Sequence, residues 1–385
     1  MLILFSSLGT YGHTYPLLPL ARAARQQGHE VLYATTEELH PTLRALDLTP
    51  VTAGMPLEEA FALASGGAQF PPVGPPPTQG ESLELAAKAF TEVLPRRLAA
   101  DLAPVLADRR PDLLVHELGA PGAGLAARVA GVPALCHGFG RVGPALTWEA
   151  VTGQFADVAA ELGVALPSEH AFLVGHPYLD ICPPSWQDKA FTPASGRLPL
   201  RPVAFAEPGE LPAGVAEHDR PLVYLTLGTA FGHADVLRGA LAALAALDVR
   251  VLVAAGPTVQ VEALGEVPEN VLVRQWVPQA RVLPHTDLVV HHGGSGTTLG
   301  ALAAGVPQLV LPQGADQFDN GAALAEAGLG EQLLGQEVTA EAITERARAL
   351  LADEVVRAAA RAVAAEIATM PSPEEVAARL HEYAR

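Results

Sequence analysis

A chain of 385 residues exceeds what one ordinary core fills, so about two domains are expected. With 49% of residues hydrophobic and 17% charged, each domain has apolar material for its own interior. A formal net charge of −18 without any basic run excludes a nucleic-acid polymer as partner. Two cysteines, Cys136 and Cys182, exclude a disulfide framework, show no zinc spacing, and point to a reducing compartment.

The opening residues MLILFSSLGT lack a basic region and break at a glycine turn, so they do not read as a signal peptide. No apolar run reaches the roughly 18 residues of a membrane span, and a cytoplasmic location is expected. Residues 2–6 (LILFS) form an apolar strand, followed by the turn SLGTYGHT. Leu17, Leu18, Ala21 and Ala24 then recur at helical spacing until Gly28, and EVLYAT supplies a second strand. This βαβ unit implies a parallel, Rossmann-like sheet. The same grammar continues through PDLLVHE (111–117), GAGLAARVAG (122–131) and VPALCHG (132–138).

The stretch 54–80, ending in FPPVGPPPTQG, reads as a surface loop, because its prolines cannot donate backbone hydrogen bonds. A second irregular zone, 175–217, holds PPSW, RLPLRP and AEPGELPAG, and reads as a domain connection. Strand, glycine turn and helix begin again at PLVYLTLGTAFG (221–232). They continue through VRVLVAAG (249–256), NVLVRQWV (270–277), TDLVVHHGG (286–294) and VPQLVLPQG (306–314). The expected organisation is a first Rossmann-like domain over 1–204, a second over 205–370, and a terminal helix over 371–385. In that helix Ser372 caps, Pro373 takes the first position and Glu375 completes a capping box.

The densest chemistry lies in HHGGSGTTLGALAAGVPQLVLPQGADQFDN (291–320). An apolar strand runs into His292, Gly293, Gly294, Ser295, Gly296, Thr297 and Thr298, and a helix follows. Glycines admit close approach and a helix N-terminus offers free N–H groups, an arrangement suited to phosphate. No Gly-Lys-Ser/Thr follows, so this is no Walker loop, and Leu299 replaces the third glycine of the dinucleotide fingerprint. A tight turn without ligand is the competing reading. Asp316 and Gln317, just beyond the next strand, can hydrogen-bond sugar hydroxyls; in isolation they are loop residues in water. Trp276, followed by Val277, Pro278 and Gln279, offers an indole face for a nucleobase, worth ~1–3 kcal/mol, or packs as core.

In the first half His13 stands in the turn after the first strand, beside Gly9 and Gly12. Histidine can take a proton from an acceptor hydroxyl, and an orienting carboxylate is offered by Glu117 at the end of 111–117. His116 points to the opposite face if that strand is regular. The alternative is a turn histidine bonded to backbone. His285, His291 and His292 lack metal spacing, so a metal-independent reaction is expected, with loop dipoles and His292 offsetting diphosphate charge.

SLGTYGHTYPLLPLARAARQQGHEV, VYLTLGT, WVPQ and the 291–320 block together resemble the family-1 glycosyltransferases, in particular bacterial antibiotic enzymes of the calicheamicin glycosyltransferase group. The resemblance spans essentially the whole chain and is most specific in its C-terminal block. It implies a GT-B fold with two Rossmann-like domains facing across a cleft and a last helix returning to the first domain. It further implies His13 as catalytic base, Glu117 as its acidic partner, Trp276 and the Val277 backbone on the nucleobase. Thr229, His292, Ser295, Gly296 and Thr297 fall on the diphosphate, and Asp316 and Gln317 on the sugar; Gly12, Gln279 and Gly294 complete the donor set. Plant members carry a ribose-gripping glutamate where this chain has Gly300, which leans the donor toward dTDP-sugar rather than UDP-sugar.

The expected activity is therefore inverting transfer from a nucleotide-sugar donor to a small, largely apolar natural-product acceptor, with no separate cofactor. Long irregular loops at 54–80 and 138–187 favour an acceptor site, which Phe70, Phe139, Trp148, Phe155, Tyr178 and Trp186 could line. A nucleotide-sugar epimerase and a non-catalytic nucleotide-sugar-binding protein are the alternatives. No amphipathic basic helix marks a membrane face, and a homodimer is compatible with the sequence.

Overall fold

The computed structural model describes residues 1–67, 79–143, 149–205, 209–229 and 233–384. The chain divides into two compact units. The first comprises Met1–Ile181, Asp188–Leu200 and Pro371–Arg385, and the second Cys182–Gln187 and Arg201–Met370.

The described strands of the first unit are β1 (Leu2–Ser6), β2 (Glu30–Thr35), β3 (Thr49–Thr52), β4 (Leu113–Glu117), β5 (Ala134–His137), β6 (Tyr178–Asp180) and β7 (Arg197–Pro199). They form one parallel sheet in the order β3-β2-β1-β4-β5-β6-β7. Helices cover both faces, so β1 and β4 read as near-continuous apolar runs instead of alternating ones. Leu4, Leu32 and Leu114 pack beneath Leu94–Arg109 and Pro121–Ala130. Each fully buried side chain of this size contributes about 1.5–3 kcal/mol. Strand order reverses between β1 and β4, and the carboxyl edge at such a switch point is where α/β sheets bind ligands.

The second unit repeats the plan with β8 (Leu222–Thr226), β9 (Arg250–Ala254), β10 (Val271–Arg274), β11 (Leu288–His291), β12 (Gln308–Val310) and β13 (Gly330–Gln332). Their order is β10-β9-β8-β11-β12-β13, again parallel. The switch point lies between β8 and β11, where Thr226 is registered with His291. Val223, Val251, Val290 and Leu309 centre its core.

Three irregular assignments are corrected. Within 54–80 a helix spans Leu57–Ala64, because Leu57, Ala60, Phe61 and Ala64 keep helical spacing ahead of the prolines. The zone 175–217 supplies β6 and β7 to the first sheet. The stretch 138–187, expected to be irregular, contains the helix Glu149–Glu161. At the other end Ser372 Oγ accepts from the Glu375 N–H at 3.2 Å while Glu375 Oε2 accepts from the Ser372 N–H at 2.7 Å. The helix Pro373–Arg379 so begun lies on Leu18–Gln26, and Gln27 Nε2 donates to Glu374 O at 2.7 Å.

Candidate active site

In the first unit the chain leaves β1 through Ser7–Thr10 and enters the single helical turn Tyr11–Thr14. Hydroxyls staple this turn to the sheet. Ser7 Oγ and Thr14 Oγ1 are 2.8 Å apart, Thr14 Oγ1 donates to Leu8 O at 3.0 Å, and the Tyr33 hydroxyl reaches Ser7 Oγ at 3.1 Å. Gly9 is required by close approach, since an added Cβ would collide with the Thr36 side chain. Gly12 is exposed, with open space beside it.

The fixed turn brings His13 Nδ1 to 3.0 Å from Glu117 Oε2 at the end of β4; the histidine is 20% exposed and the glutamate 0%. The contact has ion-pair distance without full hydrogen-bond alignment, as is common in catalytic pairs before substrate closes on them. Glu117 Oε1 accepts the Gly119 N–H. With Nδ1 on the carboxylate, the ring carries Nε2 on its other side. The Phe139 ring flanks the imidazole, centroids 4.8 Å apart and planes at 51°.

His116 faces the other way. Its Nε2 lies 3.0 Å from His176 Nδ1, so one ring donates and the other accepts. Burial pushes His116 down to about 4 and His176 to about 2, with the neighbouring His116 and Arg128 adding to the latter. Burial also holds His137 down to about 4.

In the second unit β11 runs into His292, Gly293 (φ +92°) and Gly294, the N-cap of the helix Ser295–Ala304. A glycine cap brings no side-chain acceptor, so the first-turn N–H groups keep their capacity for an anion. The His292 ring sits against Gly228, from the turn after β8, and Gly294; a Cβ at either position would collide with it. Burial pushes His292 down to about 4, so it is neutral near pH 7, and its Nδ1 is buried without a partner among the described residues. Thr229 ends the same turn, half-buried.

Ser295 Oγ donates to Asp316 Oδ2 at 2.7 Å. Asn320 Nδ2 donates to Gly293 O at 2.9 Å, Asp316 Oδ2 at 3.0 Å and Ser295 Oγ at 3.2 Å, tying the glycine loop to the Asp316 turn. Gln317 Oε1 accepts from the N–H groups of Gln313 (2.7 Å) and Gly314 (3.0 Å), which commits its oxygen to its own loop. Thr297 Oγ1 donates to Gln279 Oε1 at 3.2 Å. Trp276 is 40% exposed beyond β10, while Val277 is buried. Gly296 is exposed at the helix start. At Gly300 a Cβ would lie 2.8 Å from Leu283 Cδ1. Among the described residues no three His, Cys, Asp or Glu side chains gather as a metal site.

Residues 238–383 match the family model of the erythromycin biosynthesis protein CIII-like C-terminal domain. The elloramycin glycosyltransferase ElmGT of Streptomyces olivaceus is 34% identical over 99% of this chain and 97% of its own. The L-demethylnoviosyl transferase of Streptomyces niveus is 31% identical over 98% and 97%. The chain belongs to the antibiotic glycosyltransferases. Among solved structures, the Streptomyces sp. SF2575 glycosyltransferase SsfS6 complexed with thymidine diphosphate superposes with a TM-score of 0.80 at 27% identity, covering 99% of both chains. The spinosyn rhamnosyltransferase SpnG gives 0.81 at 28%, covering 100% and 99%. The fold is therefore GT-B, as the sequence resemblance implied, and relatives of this kind decide for sugar transfer over the epimerase and binding-protein alternatives.

Of the residues expected to line an acceptor site in this glycosyltransferase, Phe139 is placed beside His13. Phe155, Tyr178 and Trp186 are instead buried, the first two within the apolar cluster under the helix Glu149–Glu161. Phe70 and Trp148 lie outside the described residues. Sequence reasoning missed Gly119, Gly228 and Asn320. Gly119 follows the acid by two positions, Gly228 belongs to the same LGT turn as Thr229, and Asn320 sits one helical turn after Asp316, signals that gain meaning only once the partners are placed.

Proposed function

We propose that this glycosyltransferase moves a sugar from a dTDP-sugar to a small, largely apolar acceptor with inversion, using His13 as general base and no metal. The observation that carries this reading is the His13–Glu117 pair, a partly exposed imidazole held by a fully buried carboxylate. His13 Nε2 takes the proton of the acceptor hydroxyl as its oxygen attacks the anomeric carbon. The bond from that carbon to the diphosphate oxygen breaks from the opposite side, and the nucleoside diphosphate leaves with the electron pair. Glu117 holds the productive tautomer and stabilises the imidazolium that forms.

On the donor side the exposed Trp276 face stacks on the thymine and the Val277 backbone reads its edge. Thr229, His292, Ser295, Gly296 and Thr297 surround the diphosphate at the helix N-terminus, which supplies partial positive charge to the leaving group. Gln279 supports that set by fixing Thr297. Asp316, through its remaining oxygen, and Gln317, through its amide nitrogen, meet the sugar. The dTDP assignment draws support from Gly300, whose seat against Leu283 holds no carboxylate for a ribose hydroxyl. Thymidine diphosphate in SsfS6 and in SpnG points the same way.

His13→Ala is expected to lower turnover of a hydroxyl acceptor by about 10²–10⁴-fold, with dTDP binding by calorimetry retained and wild-type turnover undiminished in EDTA. Wild-type rates in the variant would remove His13 from the mechanism, and a strict requirement for added divalent metal would remove the metal-free step.

A further inference from the structure

Gly119 meets the His13–Glu117 pair in two independent ways. Its backbone N–H is bonded to Glu117 Oε1, which leaves Oε2 for the histidine. A Cβ at this position would stand 2.9 Å from His13 Cε1, 3.1 Å from His13 Nδ1 and 3.0 Å from Glu117 Oε1. Unstrained carbon contacts fall near ~3.5–4.0 Å, so even a methyl group would push the ring off by several tenths of an ångström. The backbone itself does not demand glycine here, since the φ of Gly119 is not left-handed.

We infer that Gly119 is a positioning residue: the absence of a side chain at 119 lets His13 close onto Glu117, and its N–H assigns one carboxylate oxygen to the turn and the other to the base. The inference rests on His13 being the base, and extends it to what aims that base. Two of these three contacts fall on the partly exposed imidazole and the third on the Glu117 carboxylate, so a larger side chain disturbs the pair itself.

The surroundings make the pair easy to read by titration. Tyr33, whose hydroxyl feels Glu117, is pushed up by burial, as is the Cys136 thiol. His116, one residue before Glu117, and His137, registered with it on β5, are both held near 4 by burial. Those groups are uncharged near neutral pH, so the His13 signal can be read against its 3.0 Å contact with Glu117.

The decisive experiment is an NMR titration of histidine-labelled full-length protein, with the His13 signal assigned by its loss in His13→Gln. In Glu117→Gln, which keeps the shape and removes the charge, His13 is expected to titrate about one pH unit lower than in wild type. Gly119→Ala is expected to shift it in the same direction, with the thermal midpoint within a few degrees of wild type. An unshifted His13 in Gly119→Ala overturns the inference, and so does an unfolded variant, since the contact would then support the fold and not the base. A steady-state arm adds the expected pattern for positioning: kcat lowered about 10–100-fold with the donor KM unchanged. Loss carried by donor KM alone would count against it. The titration needs no acceptor, so it judges Gly119 even if His13→Ala transfers sugar normally and the base assignment falls.

Discussion

Acidification should destabilise this enzyme before its carboxylates are protonated, because five histidines among the described residues are buried in neutral form. Burial holds His116, His137 and His176 in the first unit at about 4, 4 and 2, and His291 and His292 in the second at about 3 and 4. In the unfolded chain each binds a proton near 6.5. The folded state therefore binds fewer protons throughout this window, and stability falls as pH drops below about 6.5 until the folded values are reached. At about pH 5.5 each histidine costs a little over 1 kcal/mol, or about 4 kcal/mol for the first unit and about 3 kcal/mol for the second. Domains are stable by only about 5–15 kcal/mol, and 1 kcal/mol moves the midpoint of a unit this size by roughly 2–4 °C. Calorimetric scans from about pH 7.5 to about pH 5.5 should show the midpoint falling by roughly 8–16 °C in the first unit and 6–12 °C in the second. A midpoint that moves less than about 2 °C would refute the neutral buried state of these rings.

Two further outcomes concern the donor half. Gly228→Ala places a methyl group into the His292 ring at a φ of +78°, so it should weaken dTDP binding at least about tenfold and cost roughly 1–3 kcal/mol of stability; unchanged dTDP affinity by calorimetry would show that His292 does not hold the diphosphate. dTDP should bind at least as tightly as UDP in the same instrument, and a strong UDP preference would overturn the reading drawn from Gly300.

What the sequence disclosed follows from where burial is two-sided. β1, β4, β8, β9 and β11 lie inside their sheets, covered on both faces, and LILFS, LLVHE, LVYLT, RVLVA and LVVH show it as apolar runs. The strands that escaped notice are short or at edges. TPVT carries a proline that an edge strand tolerates, RLP and GEQ are three residues at the other margins, and YLD is too brief to show a period. His13, Glu117 and the glycine loop stand out in the sequence because each lies at or past the end of a strand beside a switch point, where a polar side chain or a glycine contrasts with apolar neighbours.

Which atoms of a polar residue stay available is another matter, because it depends on partners far away in sequence. Gln317 reads as a sugar ligand by its place after β12, yet its oxygen is spent on two amides of its own turn, leaving the nitrogen alone to meet a hydroxyl. Asp316 likewise gives one oxygen to Ser295 and Asn320. Those contacts draw the Asp316 turn and the glycine loop into one rigid piece, so loosening either member should disturb the other. The same logic separates His13 from His116: both lie near Glu117, but only His13 combines a carboxylate on one nitrogen with exposure to solvent. His116, closed against His176, is left to carry structure, and its acid sensitivity is the consequence.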